Sequence, residues 1–309
     1  MNQKARGASL CSRCDEPAVV FQRDASRHLC AVHFMADIES RVTNTIKTGQ
    51  MIVEGDRVAV ALSGGKDSTA LLLLLSRLLP AWQNVQLIAI TIDEGIAGYR
   101  EATVKAAEDL AHRLGTEHHC IAFHDLFGDS LDVLLNGRET QACSICGILR
   151  RKALVVAAQR AGATRLATGH NLDDEAQSVF MNVLRGDLPR LIRNSGADSK
   201  GRFIPRIKPL SFISEKEIAA YLILKNAWKE LPECPYTRYA LRREIRSILS
   251  DFEYRHPGTM LHLMESKEKI ERSCAGSLFS APLRTCRTCG DPSSGDLCQV
   301  CLLLRSLGR

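Results

Sequence analysis

One stretch limits what this chain can fold into more than any other. Val58 to Leu62 is a short run of apolar, mostly branched residues bounded by turn residues, which predicts a buried strand. Ser63-Gly64-Gly65-Lys66-Asp67-Ser68 breaks that run, and Thr69 to Leu79 continues without Gly or Pro, which predicts a core helix. A strand, a glycine turn and a helix N-terminus together make an anion site. The glycines let backbone N–H groups approach an oxyanion, the helix dipole favours negative charge, and Lys66 adds a cation. Phosphate is the guest that suits it. The turn is not a Walker A loop, which needs Gly five positions before its second Gly and Ser or Thr after Lys. Val60 and Asp67 occupy those places.

Around this unit the pattern alternates. Strand Val85–Ile92 precedes helix Gly98–Leu114, strand His118–Phe123 leads into a helical stretch, and strand Arg165–Thr168 precedes helix Asp173–Leu184. Such an order predicts an α/β fold with a doubly wound, mostly parallel sheet and ligands at the carboxyl ends of its strands. Residues 34–55 read as a helix leading into the domain. Gly186–Gly201 reads as a polar loop, Phe203–Ile207 as a last strand, and Ser214–Lys225 and Tyr239–Ser250 as helices. Ser273–Thr285 reads as a linker. The expected division is a zinc knuckle over 1–35, a catalytic domain over 36–272, and a linker and second zinc module over 273–309.

Twelve cysteines in a chain whose first ten residues lack an apolar core point to metal or catalysis rather than to disulfides. Cys11, Cys14, Cys30 and His33 form two pairs, each with two residues between its members, which suits a tetrahedral zinc site. Cys286, Cys289, Cys298 and Cys301 suit a four-cysteine zinc ribbon. In both, protein fills all four positions, so both zinc ions are expected to be structural. Cys143, Cys146 and Cys234 stand apart from these sets. A Cys-x-x-Cys pair by itself serves a redox disulfide or half a zinc site. With a third thiol, an iron–sulfur cluster would keep one iron without a protein ligand. Cys120 in a strand and Cys274 in the linker read as inert thiols.

Two further strand ends carry polar residues. Asp93, after the second strand, is placed to meet ribose or metal. Thr168-Gly169-His170-Asn171-Leu172-Asp173-Asp174-Glu175 ends another strand in Gly and opens a helix with acids, which fits Mg2+ and triphosphate handling through carboxylate oxygens. The net charge of +6, with pI near 8.7, is a mild excess. Arg185, Arg190, Arg193, Lys200, Arg202, Arg206 and Lys208, with Arg238, Arg242, Arg243 and Arg246, are the candidates for a nucleic-acid surface. The most apolar run, Ala70–Leu79, is far short of the ~20 residues that span a bilayer. A cytoplasmic protein without membrane contact is expected.

These residues jointly resemble the TtuA/Ctu-type branch of the TtcA/TtuA family, the ATP-dependent tRNA thiolases. The likeness runs over nearly the whole chain. It rests on the leading knuckle, Ser63–Ser68, Cys143-x-x-Cys146, Gly169-His-Asn-x-Asp-Asp174, Glu233-Cys234-Pro235 and the closing ribbon. The Ser63–Ser68 turn resembles the PP-loop of enzymes that cleave ATP between its α and β phosphates. The resemblance implies Mg-ATP on Ala61, Ser63, Gly64, Gly65, Lys66, Asp67, Ser68, Asp93, Gly169, His170 and Asp174. It also implies a 4Fe-4S cluster on Cys143, Cys146 and Cys234, with the open iron carrying sulfur, and a homodimer. The C2 oxygen of a tRNA uridine would attack the α-phosphate, pyrophosphate would leave, and sulfur would then displace AMP. Lys66 would offset phosphate charge, and Asp173 or Asp174 would hold metal or orient the base. Some family members have Lys where this chain has Arg150, and a guanidinium holds oxygen but does not serve as a base. A Cys persulfide route, with Cys143 and Cys234 working as a redox pair, is the variant within this reading. Sulfide, a persulfide or a ubiquitin-like thiocarboxylate protein would supply the sulfur. Rival readings are 2-thiocytidine synthesis, a PP-loop ligase that adenylates a carboxylate, and a non-catalytic nucleic-acid adaptor. The first lacks a reason for two zinc modules, the second leaves three cysteines idle, and the third leaves both phosphate motifs without purpose.

Overall fold

The computed structural model describes residues 9–192, 204–239, 242–274 and 284–309. The chain opens with a hairpin of β1 (Val20–Gln22) and β2 (Arg27–Leu29), followed by helix α1 (Ala31–Thr48). Next come β3 (Arg57–Ala61), α2 (Lys66–Leu78), β4 (Gln86–Asp93), α3 (Arg100–Arg113) and β5 (Glu117–Ala122). Helices α4 (Phe123–Phe127), α5 (Leu131–Leu135) and α6 (Ala142–Arg160) lead back to β6 (Arg165–Ala167), α7 (Leu172–Leu184), α8 (Leu188–Ile192) and β7 (Arg206–Ile207). After α9 (Glu215–Leu224) come a 3-10 turn (Pro235–Tyr239), α10 (Arg242–Arg255) and α11 (Thr259–Ser273). A hairpin of β8 (Arg284–Thr285) and β9 (Pro292–Ser293) with α12 (Gln299–Ser306) closes the chain.

The central sheet has the order β5-β4-β3-β6-β7, and each of its pairings is parallel. The chain runs outward from β3 to β5 and then returns to β6 on the other side of β3. That reversal is the topological switch point of a doubly wound sheet, where two successive crossovers part and leave a crevice. Alternation along β3 explains how both faces are covered. Val58 and Val60 join α1, α2, α3 and α9 in one core, while Ala59 joins Ile88, Ile90, Phe123 and Leu149 in the other. A third apolar cluster ties α7 to α10 and α11 through Leu172, Val179, Leu249, Met260 and Met264.

Both small modules are docked on this domain. Leu29, Cys30 and Phe34 enter the first core, and Asp37 accepts from Gln22 Nε2 at 3.0 Å and Arg27 Nη2 at 2.6 Å. At the other end Leu303, Leu304 and Leu307 pack on the core of α6, where Lys152 pairs with Asp291.

Most strand and helix expectations hold within a few residues, but the helix expected over 34–55 ends at Thr48 and the one expected over Tyr239–Ser250 runs to Arg255. Helix α2 begins at Lys66 rather than Thr69, because Gly65 adopts the extended N-cap conformation and the glycine turn itself becomes the cap. The segment expected as a loop after Gly186 holds α8, whose Leu191 is buried against α7; residues 193–203 lie outside the described residues. The tail of the domain forms α11, for which the sequence pattern raised no expectation. Cys274 therefore caps that helix rather than sitting in a linker.

Candidate active site at the switch point

The turn after β3 is set by its own hydroxyls. Ser68 Oγ accepts from Ser63 N at 3.2 Å and donates to Gly65 O at 2.9 Å, while Gly65 N donates to Ser63 Oγ at 3.3 Å. Gly64 has φ +86°, and a Cβ there would stand 2.1 Å from Thr103 O, so only glycine fits. Ala61, the last residue of β3, is half-buried beneath the turn.

The motif after β6 lies directly against this loop. A Cβ on Gly169 would be 3.0 Å from the backbone of Asp67 and Ser68, and Asn171 Nδ2 donates to Asp67 Oδ1 at 2.9 Å. His170 Nδ1 is 2.9 Å from Thr168 Oγ1. Asn171 and Asp174 form a reciprocal capping box at the start of α7. Asp173 turns away toward α9, where it accepts from Glu215 N at 2.8 Å, and burial pushes its carboxyl up. The two adjacent acids therefore have different surroundings. Asp93 stands at the end of β4 and accepts from Gly95 N at 2.9 Å, which closes a turn.

Lys66 Nζ lies 2.8 Å from Asp67 Oδ2 and 3.0 Å from Glu215 Oε1. Burial alone would lower its pKa, but the two carboxylates outweigh burial and raise it. Glu215 also takes Arg246 on both oxygens, at 2.6 and 2.5 Å. Glu215 was missed in the sequence because its partners come from α2 and α10, far away in the chain.

Of the core thiols, Cys146 and Cys234 pack in the core on the face of the sheet opposite α2. Cys143 and Cys146 are the second and fifth residues of α6, and Cys234 immediately precedes the 3-10 turn that packs on it; Cys143 Sγ is 3.6 Å from Tyr236 O. Cys146 is buried, Cys234 half-buried and Cys143 exposed. Burial pushes the Cys146 thiol up to about 11 despite the Arg150 guanidinium 2.9 Å away, and it raises Cys234 as well. Arg150 follows Cys146 by one helical turn, which brings their side chains together.

Behind Arg150 stands a group without a sequence signal. Glu94, only 3% exposed, pairs with Arg150 Nε at 2.5 Å and Arg100 Nε at 2.7 Å. Arg100 Nη1 in turn donates to Ser63 O at 3.1 Å. A continuous polar chain thus runs from the phosphate loop to Cys146.

The metal sets differ in span. In the knuckle, His33 Nδ1 lies 3.5, 3.4 and 3.3 Å from the sulfurs of Cys11, Cys14 and Cys30, and Cys14 and Cys30 are 3.8 Å apart. A zinc tetrahedron with bonds of about 2.0 to 2.3 Å has edges of about 3.3 to 3.8 Å, so the residues fit. Cys286, Cys289, Cys298 and Cys301 also lie within 4.8 Å of one another. Among the described residues these two sets alone are so tight. Cys143, Cys146 and Cys234 are more widely spaced, which suits a cluster whose thiolates each bind a different iron rather than one ion.

Of the basic residues, Arg190 and Arg206 lie close enough to Arg151 for their like charges, with that of Arg150 and after burial, to lower its pKa. Lys208 pairs with Glu175 at 2.7 Å, and Arg246 belongs to Glu215. Arg185 follows α7. Arg193, Lys200 and Arg202 lie outside the described residues, as do the side chains of Arg238, Arg242 and Arg243. Arg151, on the helix that carries Cys143 and Cys146, was not among the expected cations.

The parallel sheet, its switch point and its glycine turn define a PP-loop protein, and the family model for the PP-loop domain matches residues 35–250. Residues 10–35 match the model for the N-terminal LIM domain of the 2-thiouridine synthetase TtuA. The tRNA 2-thiolation protein NcsA of Haloferax volcanii is 35% identical, covering 96% of this chain and 98% of that protein. The cytoplasmic tRNA 2-thiolation protein 1 of Mus musculus is 37% identical, over 98% and 73% respectively. The chain also superposes on the U34-tRNA thiolase NcsA of Methanococcus maripaludis, solved with its 4Fe-4S cluster. There the TM-score is 0.85 with 31% identity, and 97% of each chain is covered. The chain belongs to the PP-loop family of tRNA 2-thiolation proteins.

Proposed function

We propose that this protein is an ATP-dependent tRNA sulfurtransferase that replaces the C2 oxygen of uridine 34 by sulfur. The observation that carries this reading is the polar chain Ser63–Arg100–Glu94–Arg150–Cys146, which joins a phosphate loop to a set of three thiols. A ligase that only adenylates a carboxylate has no use for the thiol end of that chain. The names of the relatives support tRNA as substrate, and the solved relative supports position 34.

ATP would lie over Ala61, Ser63–Ser68, Asp93, Gly169 and His170, with its phosphates on the turn amides and Lys66. Asp174 would face Mg2+, while Asp173 positions α9 through Glu215 N. The uridine C2 oxygen attacks the α-phosphate and pyrophosphate leaves; charge that develops on the phosphates is offset by Lys66 and the loop N–H groups. The C2 carbon then carries AMP, a far better leaving group than oxide, and sulfur displaces it. Cys143, Cys146 and Cys234 would hold the cluster. When bound, a 4Fe-4S cluster with three protein thiolates supplies one open iron for an exogenous sulfur. Arg150, permanently charged, would steady the anionic sulfur or the departing oxygen rather than move a proton. The arginines at 151, 190 and 206 give tRNA phosphates a landing site beside the thiols.

The three-part division at residues 35/36 and 272/273, two structural zinc ions and a homodimer belong to the same proposal. So do a cytoplasmic site of action, supported by the relatives' names, and sulfide, a persulfide or a ubiquitin-like thiocarboxylate as donor. The test is anaerobic incubation of reconstituted protein with unmodified tRNA, Mg-ATP and sulfide, followed by fragment mass spectrometry. ATP-dependent 2-thiouridine at position 34 is expected. Thiolation of the T-loop would move the target, 2-thiocytidine would change the branch, and pyrophosphate release without a thiolated base would overturn the reading.

A further inference from the structure

We propose that Glu215 is a positioning residue that competes with ATP phosphates for Lys66, and that Arg246 sets the strength of this competition. The inference rests on the reading that the Ser63–Ser68 turn binds ATP.

Lys66 is the first helical residue of α2, where the turn amides converge, yet its ammonium is held by two carboxylates. The two holders differ. Asp67 belongs to the turn itself and is fixed by Asn171 Nδ2, so it accompanies Lys66 wherever the loop goes. Glu215 comes from another element whose backbone is anchored independently. Its own N–H donates to Asp173 Oδ2 at 2.8 Å, and Ser214 and Glu217 form a reciprocal capping box on the same turn. Lys66 is therefore drawn toward a fixed external anion.

That anion is kept charged and only partly satisfied by Lys66. Arg246 binds both of its oxygens, whereas Lys66 reaches Oε1 alone. Burial would raise the Glu215 carboxyl, but Lys66 and Arg246 outweigh burial and hold it below the usual range. When phosphates claim Lys66, Glu215 keeps Arg246, so its charge beside the phosphates stays compensated. Removing Arg246 leaves Lys66 as the nearest cation for Glu215 and makes that claim harder. Removing the Glu215 charge leaves Lys66 with Asp67 alone, which moves with the turn. After pyrophosphate forms, the waiting carboxylate favours its release by taking Lys66 back.

The two variants therefore have opposite signs. Equilibrium binding of Mg-ATP and of pyrophosphate is measured without tRNA on the full, zinc-loaded chain. Glu215→Gln is expected to tighten both ligands about twofold to fivefold, the range that a partly exposed ion pair supports. Arg246→Gln is expected to weaken both about twofold. The double variant should match Glu215→Gln alone, because Arg246 acts only through that carboxylate. A merely structural role for Glu215 would weaken binding. Weaker or unchanged binding in Glu215→Gln, with ATP still lost in Lys66→Ala, overturns the competition and leaves the ATP site intact. Full ATP binding in Lys66→Ala overturns the ATP site itself. If Glu215→Gln does not fold, Arg246→Gln decides alone: unchanged or tighter binding there refutes the proposal.

Discussion

Replacing Glu94 by alanine tests the polar chain at its centre. The carboxylate side chain is 4% exposed, as against 3% for Arg100 and 47% for Arg150. The two halves of the network should therefore contribute unequally. On the Arg150 side solvent screens the lost pair, so that half contributes at most about 1 kcal/mol. On the Arg100 side a buried guanidinium loses its near counter-charge and keeps only Asp93 Oδ1 at 4.0 Å, and breaking a buried pair costs about 3 to 5 kcal/mol. Arg100 keeps hydrogen bonds to Ser63 O at 3.1 Å and Thr103 Oγ1 at 2.8 Å, and also donates to Ile92 O, which places the loss near the lower limit. The sum is about 3 to 4 kcal/mol. Urea unfolding of the zinc-loaded protein, followed by circular dichroism, would measure it. Glu94→Leu combined with Arg100→Met removes both buried charges and should recover much of the loss, because the one ion left unpaired is the solvent-screened Arg150. A loss below about 1 kcal/mol for Glu94→Ala would refute the reasoning. So would a double variant no more stable than the single one.

Three other outcomes follow from separate parts of the molecule. Gly169→Ala should cost about 1 to 3 kcal/mol and weaken ATP binding, since its Cβ displaces the backbone at Asp67 and Ser68. Gly162→Ala, with φ +65° but open space, should leave ATP binding intact; equal effects in an ATP titration would contradict this. Burial holds the His118 imidazole below its usual 6.5, with Nε2 2.7 Å from Thr91 Oγ1. The unfolded chain therefore takes up the proton first. This group's contribution is fully present above pH 6.5 and is lost at up to about 1.4 kcal/mol per unit as pH falls below that value. His118→Gln should flatten that slope in urea midpoints taken at neutral and mildly acidic pH, and an identical slope would refute the assignment. Cys289→Ser, which removes one of the four thiols of the proposed zinc ribbon, should lower hydrogen-exchange protection in α6, on which Leu303, Leu304 and Leu307 pack. Unchanged protection there would mean that the ribbon does not brace the cysteine helix.

Local chemistry was legible without tertiary information. The glycine turn follows from φ and close approach, the zinc pairs from ligand spacing, and the βα alternation from hydrophobic period, each written within a few tens of residues. Even so, Thr69 was a late start for α2 because a glycine cap leaves no hydroxyl signature. The helix α11 carried no recognised start signal, since Gly258 caps it in the left-handed conformation and Glu253 accepts from Gly258 N and Met260 N.

Which charges meet was a matter for the fold. Asp173 and Asp174 are adjacent in sequence, but a turn of helix sends one to α9 and leaves the other in the cap of α7. Glu94 and Glu215 read as ordinary acids, yet each links elements far apart in the chain, and burial decides how strongly each acts. The sequence by itself determined the phosphate turn, the thiol sets and the alternating architecture, because those depend on short-range geometry. Only the tertiary structure decided that the turn, Glu94 and the cysteines form one chain and that Lys66 is shared with Glu215. Those pairings depend on the switch point of the sheet, where residues distant in sequence are forced into one crevice.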